Sequence, residues 1–131
     1  MTKQTPTERE LDILKILWDN GEATVREVYE AIRNEAPIVQ NTVQAMLRTM
    51  EDKGLVTHRT EGRAFIYRPT AKRERTTRNM VAKLLDSAFD GAVDQLVESL
   101  FSHRKPSADE LGRLQTMIEE LQQKKSRRKG R

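Results

Sequence analysis

The sequence predicts a mainly α-helical protein with one small β-hairpin, organised as two units in a single chain. Three observations indicate this. Two Thr-x-x-Glu motifs open amphipathic helices near the N-terminus, a β-rich segment follows a third helix, and three further apolar stripes at helical spacing occupy the second half. At 131 residues the chain has room for one compact domain or two small ones.

The first two helices are marked by their N-termini. Thr7 and Glu10 form a capping box, in which each side chain binds the other residue's backbone N–H, and Asn20-Gly21 ends the helix. Thr24 and Glu27 repeat the motif at the start of the second helix. The buried faces of the two helices are predicted to contain Leu11, Leu14, Leu17, Trp18, Val25, Val28, Tyr29 and Ile32.

The third helix is predicted to begin near Val39 or Gln40 and to run to about Lys53, without a Ser, Thr or Asp N-cap unless Asn41 serves. Apolar residues at helical spacing define its buried face, namely Val43, Met46, Leu47 and Met50. The opposite face carries small, amide and guanidinium side chains, the types that reach base edges in a DNA major groove: Asn41, Gln44, Ala45 and Arg48. Thr42, one position round, suits a phosphate or a thymine methyl group.

A hairpin is predicted next. Residues 55–60 and 63–68 are rich in strand-forming types, and Glu61-Gly62 would be the two-residue loop between them. That loop pairs Thr60 with Arg63, His58 with Phe65, and Val56 with Tyr67. A presented helix followed by an arginine-bearing hairpin is the layout of a winged helix-turn-helix. We therefore predict a winged-helix DNA-binding domain over residues 1–69, with Arg59 and Arg63 as the DNA contacts of the hairpin.

Residues 70–123 are predicted to form three helices, the last opened by a capping box of Ser107 and Glu110. Their stripes are too apolar for solvent, whereas about 50 residues form a weak independent core. We therefore predict a helical dimerisation domain that pairs through Leu84, Leu96, Leu100, Leu114 and Ile118. The alternative is that these helices pack only on their own winged helix. Residues 124–131 contain no apolar side chain and are predicted to be a basic disordered tail.

The positive charge is concentrated locally, although the net charge is only +4. Residues 36–83 hold 10 basic and 4 acidic side chains, whereas residues 1–35 and 84–123 are both net acidic. Residues 124–131 add six basic side chains. Neutralising phosphates requires local charge, so this distribution favours double-stranded DNA as the partner. For the tail alone, a solvated disordered segment is an equal alternative.

No catalytic, cofactor or metal site is predicted, so the chain is not expected to be an enzyme. It has no cysteine, which excludes disulfides, thiolate metal sites and cysteine nucleophiles. His58 and His103 lie about 45 residues apart and not at helical spacing. The apolar runs fall far short of the roughly 18 residues of a membrane span, and no basic-then-apolar leader is present. A cytoplasmic protein without membrane insertion is expected.

Several short motifs together resemble the penicillinase repressor family, and the similarity covers nearly the whole chain. They are Glu10-Leu11-Asp12-Ile13-Leu14 with Leu17-Trp18, Thr24-Val25-Arg26-Glu27-Val28, Asn41-Thr42-Val43-Gln44-Ala45-Met46-Leu47, Lys53-Gly54-Leu55-Val56, Gly62-Arg63 and Tyr67-Arg68-Pro69. The resemblance implies an N-terminal winged helix, a C-terminal helical dimerisation domain, and a homodimer that binds a palindromic operator and represses transcription. It also implies that Asn41, Thr42, Gln44 and Arg48 contact DNA, with the wing around Arg63.

The chain departs from this family pattern in three places. The copper-responsive branch ends in a Cys-x-Cys metal-binding pair, which this cysteine-free chain lacks. In the β-lactam branch a membrane sensor's signal leads to cleavage of an Asn-Phe bond. The corresponding place here, Ser99-Leu100, lacks that pair. A membrane sensor or a protease is thus a partner that the resemblance implies without the matching bond. The basic tail is additional to the pattern.

Two other classes of function are compatible with these residues. The winged helix could be a protein–protein interaction module, in which Asn41, Gln44 and Arg48 are ordinary polar surface. Alternatively, the chain could be a regulator that senses a small molecule in a pocket between its two units, although no convergent polar cluster marks one. A sequence-selective, salt-sensitive gel shift separates DNA binding from the first alternative. A ligand-dependent change in that shift identifies the second.

Overall fold

A computed structural model describes residues 5–129 of the chain. Over this range the fold is mainly helical, with a small antiparallel sheet, as the sequence predicted. The elements in chain order are α1 (Glu8–Asn20), β1 (Ala23–Thr24), α2 (Val25–Ile32), α3 (Gln40–Asp52), β2 (Val56–Glu61), β3 (Ala64–Pro69), α4 (Arg73–Ala88), α5 (Val93–His103) and α6 (Ala108–Lys129).

The helix N-termini follow the local sequence signals. All three predicted capping boxes are formed, and at Thr7 the hydroxyl oxygen accepts the Glu10 N–H at 3.2 Å while Glu10 Oε1 accepts the Thr7 N–H at 2.9 Å. The boxes opened by Thr24 and Ser107 have the same reciprocal bonds. Helix α3 has Val39 as its N-cap and no side-chain cap. Asn41 is therefore inside the first turn and does not cap the helix.

The hairpin has a different register from the predicted one. Glu61 pairs with Ala64, Thr60 with Phe65 and His58 with Tyr67, so the loop is Gly62-Arg63 and not Glu61-Gly62. The three predicted pairs were therefore wrong by two residues. The physical reason is Gly62, whose φ of +62° places it at the first of the two loop positions, where tight hairpin turns favour glycine. Because the shift is even, the side chains that were predicted to share a face of the hairpin still share one.

The sheet contains a third strand that the sequence analysis missed. The two residues of β1 pair with β3, Ala23 opposite Tyr67 and Thr24 opposite Ile66, which gives the strand order β1-β3-β2. Two residues are too few to show an alternating pattern, and this strand exists only because β3 offers its free edge. It fixes the start of α2 against the hairpin.

The winged-helix unit has one apolar core. Its fully buried side chains come from the first three helices and the sheet, and they include Ile13, Leu14, Leu17, Val28, Ile32, Val43, Leu47, Met50, Val56 and Tyr67. In α1, Ile13 is buried where the sequence predicted Leu11, which is half-buried. The buried face of α3 lies directly opposite the polar face on which the predicted DNA contacts are carried.

One ion pair lies at the edge of this core. Glu10 is 4% exposed, and both of its carboxylate oxygens accept hydrogen bonds from Lys53 Nζ, at 2.8 and 3.0 Å. Burial alone would raise the pKa of Glu10, but the bonds from Lys53 and from the Thr7 N–H outweigh it, so that the pKa is lowered. The pair fastens the start of α1 to the end of α3.

The chain divides into two units after Leu84, whereas the sequence placed the boundary after residue 69. The difference arises at the start of α4. Trp18 Nε1 donates a hydrogen bond to the Ala71 carbonyl oxygen at 2.9 Å, and Thr76 on α4 is buried. Lys83 Nζ also donates to Thr5 Oγ1 at 3.2 Å. The first three turns of α4 thus belong to the winged-helix unit.

The second unit comprises the end of α4 with α5 and α6. Between residues 85 and 128 no side chain is fully buried, and apolar side chains of α5 and α6 remain exposed, including Leu100, Phe101, Leu111, Ile118 and Leu121. Helix α6 continues to Lys129, so the prediction of a disordered tail from residue 124 fails for residues 124–129. Lysine, arginine and glutamine have high helix propensity, and cationic side chains stabilise the C-terminal end of a helix. Residues 130 and 131 lie outside the described residues.

Candidate nucleic-acid interface

The predicted DNA-contacting face of α3 is open to solvent. Asn41, Thr42, Ala45 and Arg48 are exposed, and Gln44 is half-buried, while Val43, Leu47 and Met50 on the opposite side are fully buried. Asn41 and Arg48 make no side-chain hydrogen bond or ion pair with any residue between 5 and 129. Their amide and guanidinium groups are therefore available to an external partner.

A groove lies beside this face. It encloses about 370 Å³ between the first turns of α2 and α3 and the start of β3. Its lining residues are Thr24, Val25, Arg26, Gln40, Gln44, Arg63, Ala64 and Phe65. The groove brings together Gln44 and Arg63, which the sequence predicted as contacts from two separate elements. Arg63 is exposed in the hairpin loop.

Only Gln44 and Arg63 of the lining residues were predicted contacts, and the six that were not include Arg26, Gln40 and Phe65. Arg26 Nη1 donates to Gln40 Oε1 at 3.2 Å, and Arg26 Nη2 lies 2.7 Å from Glu30 Oε1. The first of these bonds joins the start of α2 to the start of α3. The helical periodicity of α2 predicts that Arg26 faces outward in the first turn, so the sequence could have identified it as a candidate contact. Only the tertiary structure shows that its side chain reaches α3.

Arg59, another predicted contact, is exposed, but its guanidinium forms ion pairs with two carboxylates of the protein. Its guanidinium lies 2.9 Å from Glu22 Oε1 and 2.7 Å from Glu61 Oε2. The hydrogen bonds to Glu22 and then to Glu61 raise the pKa of Arg59 above its ordinary value. Two carboxylates offset its charge locally, so that Arg63 is the more available cation of the hairpin.

The hairpin is also held against the end of α3. His58 Nδ1 lies 2.6 Å from Glu51 Oε1, and the imidazole stacks on Phe65 with ring centroids 4.3 Å apart. Tyr67 is buried beneath them, and its burial, followed by the nearby charge of Glu51, raises its pKa. His58 therefore has a packing role in this sheet. Over the described residues no group of three or more His, Cys, Asp or Glu side chains is placed to hold a metal ion.

Helix, turn, recognition-type helix and basic hairpin together define a winged helix-turn-helix of the DNA-binding class. The model of the family described as penicillinase repressor matches residues 6–120. The penicillinase repressor of Bacillus licheniformis is 24% identical over 119 residues, covering 91% of this chain and 93% of that protein. The solution structure of the DNA-binding domain of the repressor BlaI is 26% identical. The structural match covers 55% of this chain and 88% of that domain, with a TM-score of 0.51.

The chain belongs to the penicillinase repressor family, and it is a DNA-binding transcriptional repressor. No helix between residues 5 and 129 is both long and apolar enough to span a bilayer.

Proposed function

We propose that this repressor binds a palindromic DNA operator in the cytoplasm as a homodimer, with α3 of each protomer in the major groove. The observation that carries the proposal is the exposed polar face of α3 next to a groove that contains Arg63 of the hairpin. Helix α3 thus offers hydrogen-bonding groups for base edges, and the neighbouring hairpin offers a cation for the DNA backbone.

The contacts divide by chemistry. Asn41 and Gln44 carry amides, which pair with adenine, and Arg48 carries the guanidinium that pairs with guanine O6 and N7. Ala45 can contact a thymine methyl group, and Thr42 a phosphate or a thymine methyl. Arg63 is assigned to the DNA backbone or the minor groove. These assignments are supported by exposure and by side-chain type.

Arg59 is assigned differently from Arg63. A phosphate that approached Arg59 would compete with Glu22 and Glu61, which already occupy its guanidinium. We infer that Arg59 mainly positions the hairpin, because its ion pair with Glu22 connects β2 to the segment that precedes β1. Its effect on DNA binding is then exerted through the orientation of Arg63 and the groove.

Dimerisation is supported by the second unit, which lacks a core of its own. Of the five predicted pairing residues, Leu84, Leu100 and Ile118 are 46%, 57% and 56% exposed, and Leu96 and Leu114 are half-buried. Burying exposed apolar side chains stabilises by roughly 25 cal/mol per Å². A second copy would supply that burial, and a two-fold dimer would match a palindromic operator.

Release from the operator is proposed to act through the pairing of the two copies and not through a metal ion held by the repressor. A membrane sensor or a protease is a compatible partner, with Ser99-Leu100 on α5, both exposed, as the proposed place of action. Displacement of the protein from its operator by stoichiometric copper or zinc would contradict this mechanism.

The decisive experiment is selection of bound duplexes from a random DNA pool with the full chain. We expect recovery of one motif with two-fold symmetry, because each protomer would present the same α3 face. A triple variant, Asn41→Ala with Gln44→Ala and Arg48→Ala, is the control and should recover no motif. A motif without symmetry would contradict the dimer, and recovery of none by the full chain would contradict sequence-specific recognition.

A further inference from the structure

The last turns of α6 differ in composition from the rest of the molecule. Residues 122–129 contain no acidic and no apolar side chain, and Lys124, Lys125, Arg127 and Arg128 are all exposed. The family match ends at residue 120, so this basic helical segment lies outside the matched residues. It follows a stretch, residues 84–121, that is net acidic.

The basic residues continue the line of the apolar stripe. Along α6 the stripe has the alternating three- and four-residue spacing of a helix-pairing seam, through Leu111, Leu114, Ile118 and Leu121. The next two positions in that spacing are Lys125 and Arg128. A seam suited to burial against another helix therefore ends at Leu121. Beyond it, like charges would repel in a side-by-side pair of these helices.

The chemistry of this segment fits a polyanion. At 1.5 Å per residue, eight residues extend about 12 Å, and duplex DNA carries one negative charge per about 1.7 Å of axis. A lipid surface is the less favoured partner, because helices that lie in a membrane interface insert apolar side chains, and residues 122–129 have none.

We propose that residues 122–129 form a second, sequence-independent DNA-binding element, which contacts phosphates outside the bases that α3 reads. This inference rests on the proposed function, because the winged helix supplies the sequence selectivity. The segment adds affinity for every duplex and makes binding more sensitive to salt, since each phosphate contact releases counterions.

The test compares two double variants of the full chain that each remove two positive charges. One is Lys124→Gln with Lys125→Gln, and the matched control is Arg104→Gln with Lys105→Gln in the exposed loop before α6. Affinity is measured for the selected operator and for a scrambled duplex at several salt concentrations. We expect the first variant to bind both duplexes more weakly by the same factor. Its slope of log K against log salt should fall by about 0.9 for each phosphate that the protein no longer neutralises. The control should keep the parent slope.

Three outcomes would overturn this assignment. An unchanged slope for Lys124→Gln with Lys125→Gln would remove the segment from the DNA interface while leaving operator recognition intact. Dissociation of that variant into monomers by sedimentation would assign the segment to pairing. Binding to phosphatidylglycerol vesicles that is abolished in the same variant, with an unchanged DNA slope, would assign it to lipid. Failure of the parent chain to prefer the operator would instead overturn the proposed function.

Discussion

The polar side chains on the outer face of α3 can be truncated without disturbing the core beneath that helix. Gln44 and Arg48 project away from a core whose nearest members, Val43 and Leu47, are fully buried. Their truncation leaves that core intact. Any effect on DNA binding can therefore be separated from an effect on folding.

We expect Gln44→Ala and Arg48→Ala each to weaken operator binding by roughly 1–3 kcal/mol and to relax specificity at one base position in each half-site. The reason is removal of a bidentate hydrogen-bonding group from a base edge. Binding to a set of operator variants measures this, with the exposed Lys15→Ala on α1 as control. Equal loss of affinity on every sequence would reassign the residue to backbone positioning, and no loss would reject α3 as the recognition helix.

Arg63 has a different expected signature. Arg63→Ala should weaken binding to operator and scrambled duplexes alike, because an interaction with the DNA backbone carries no sequence information. It should also lower the salt slope by about one unit for each phosphate that the side chain neutralises in the parent complex. Titrations at several salt concentrations check this. A selective loss of affinity for operator DNA would show that Arg63 reads bases.

The Glu10–Lys53 pair predicts a pH-dependent stability. Lys53→Met leaves a buried carboxylate without its partner and should cost about 3 kcal/mol at neutral pH. Because the folded pKa of Glu10 is lowered, the contribution of the pair is present above the ordinary value of 4.5 and is lost as pH falls through the folded value. Urea unfolding between pH 3 and 7 should therefore show the difference in stability narrowing in acid. A difference in unfolding free energy that does not change with pH would contradict this. The control, Lys15→Met at an exposed position, should show no pH-dependent difference from the parent chain.

At the scale of elements, the helices were easier to predict from the sequence than the sheet. Each capping box lies within four residues, so Thr7, Thr24 and Ser107 mark their helices by local chemistry alone. The hairpin register depends on which loop position needs a positive φ, and Gly62 can satisfy either one. Strand β1 depends wholly on a partner 44 residues away, Ala23 with Tyr67, which no local pattern encodes.

The candidate interface was predicted only where it depends on local sequence, and not where it depends on contacts between elements. Helical phase alone placed Asn41, Gln44 and Arg48 on one outward face, and the structure has them there. The ion pairs of Arg59 and the bond from Arg26 to Gln40 join different elements, so they could not be derived from spacing. The proximity of Gln44 and Arg63 likewise required the fold.

Two glycines provide a matched test of backbone conformation. A Cβ at either Gly62 or Gly112 would meet no atom within 4 Å, but Gly62 has φ +62° and Gly112 lies inside α6. Gly62→Ala should cost about 1 kcal/mol through left-handed strain, whereas Gly112→Ala should stabilise by roughly 0.5–1 kcal/mol through reduced backbone entropy. Thermal unfolding of both variants measures the contrast. Equal effects would refute the assigned role of the Gly62 conformation.

At the scale of the whole molecule, pairing and DNA binding should be lost together. Ile118→Glu places a charge on a side chain that is already 56% exposed, so the fold of each protomer should survive. We expect dissociation in analytical ultracentrifugation and a parallel loss of operator affinity, because single half-sites bind weakly. Thr116→Glu, at an exposed position on the other side of α6 from the apolar stripe, is the control. A parent chain that sediments as a monomer at micromolar concentration would refute pairing.

The bond from Trp18 to the Ala71 carbonyl has a practical consequence. Trp18 is the only tryptophan of the chain, and its indole N–H is held at the point where the winged-helix unit passes into α4. Its fluorescence is therefore a label-free optical reporter of that junction. A red-shifted emission would signal detachment of the start of α4, and an unshifted emission during operator release would localise the change to the residues beyond it.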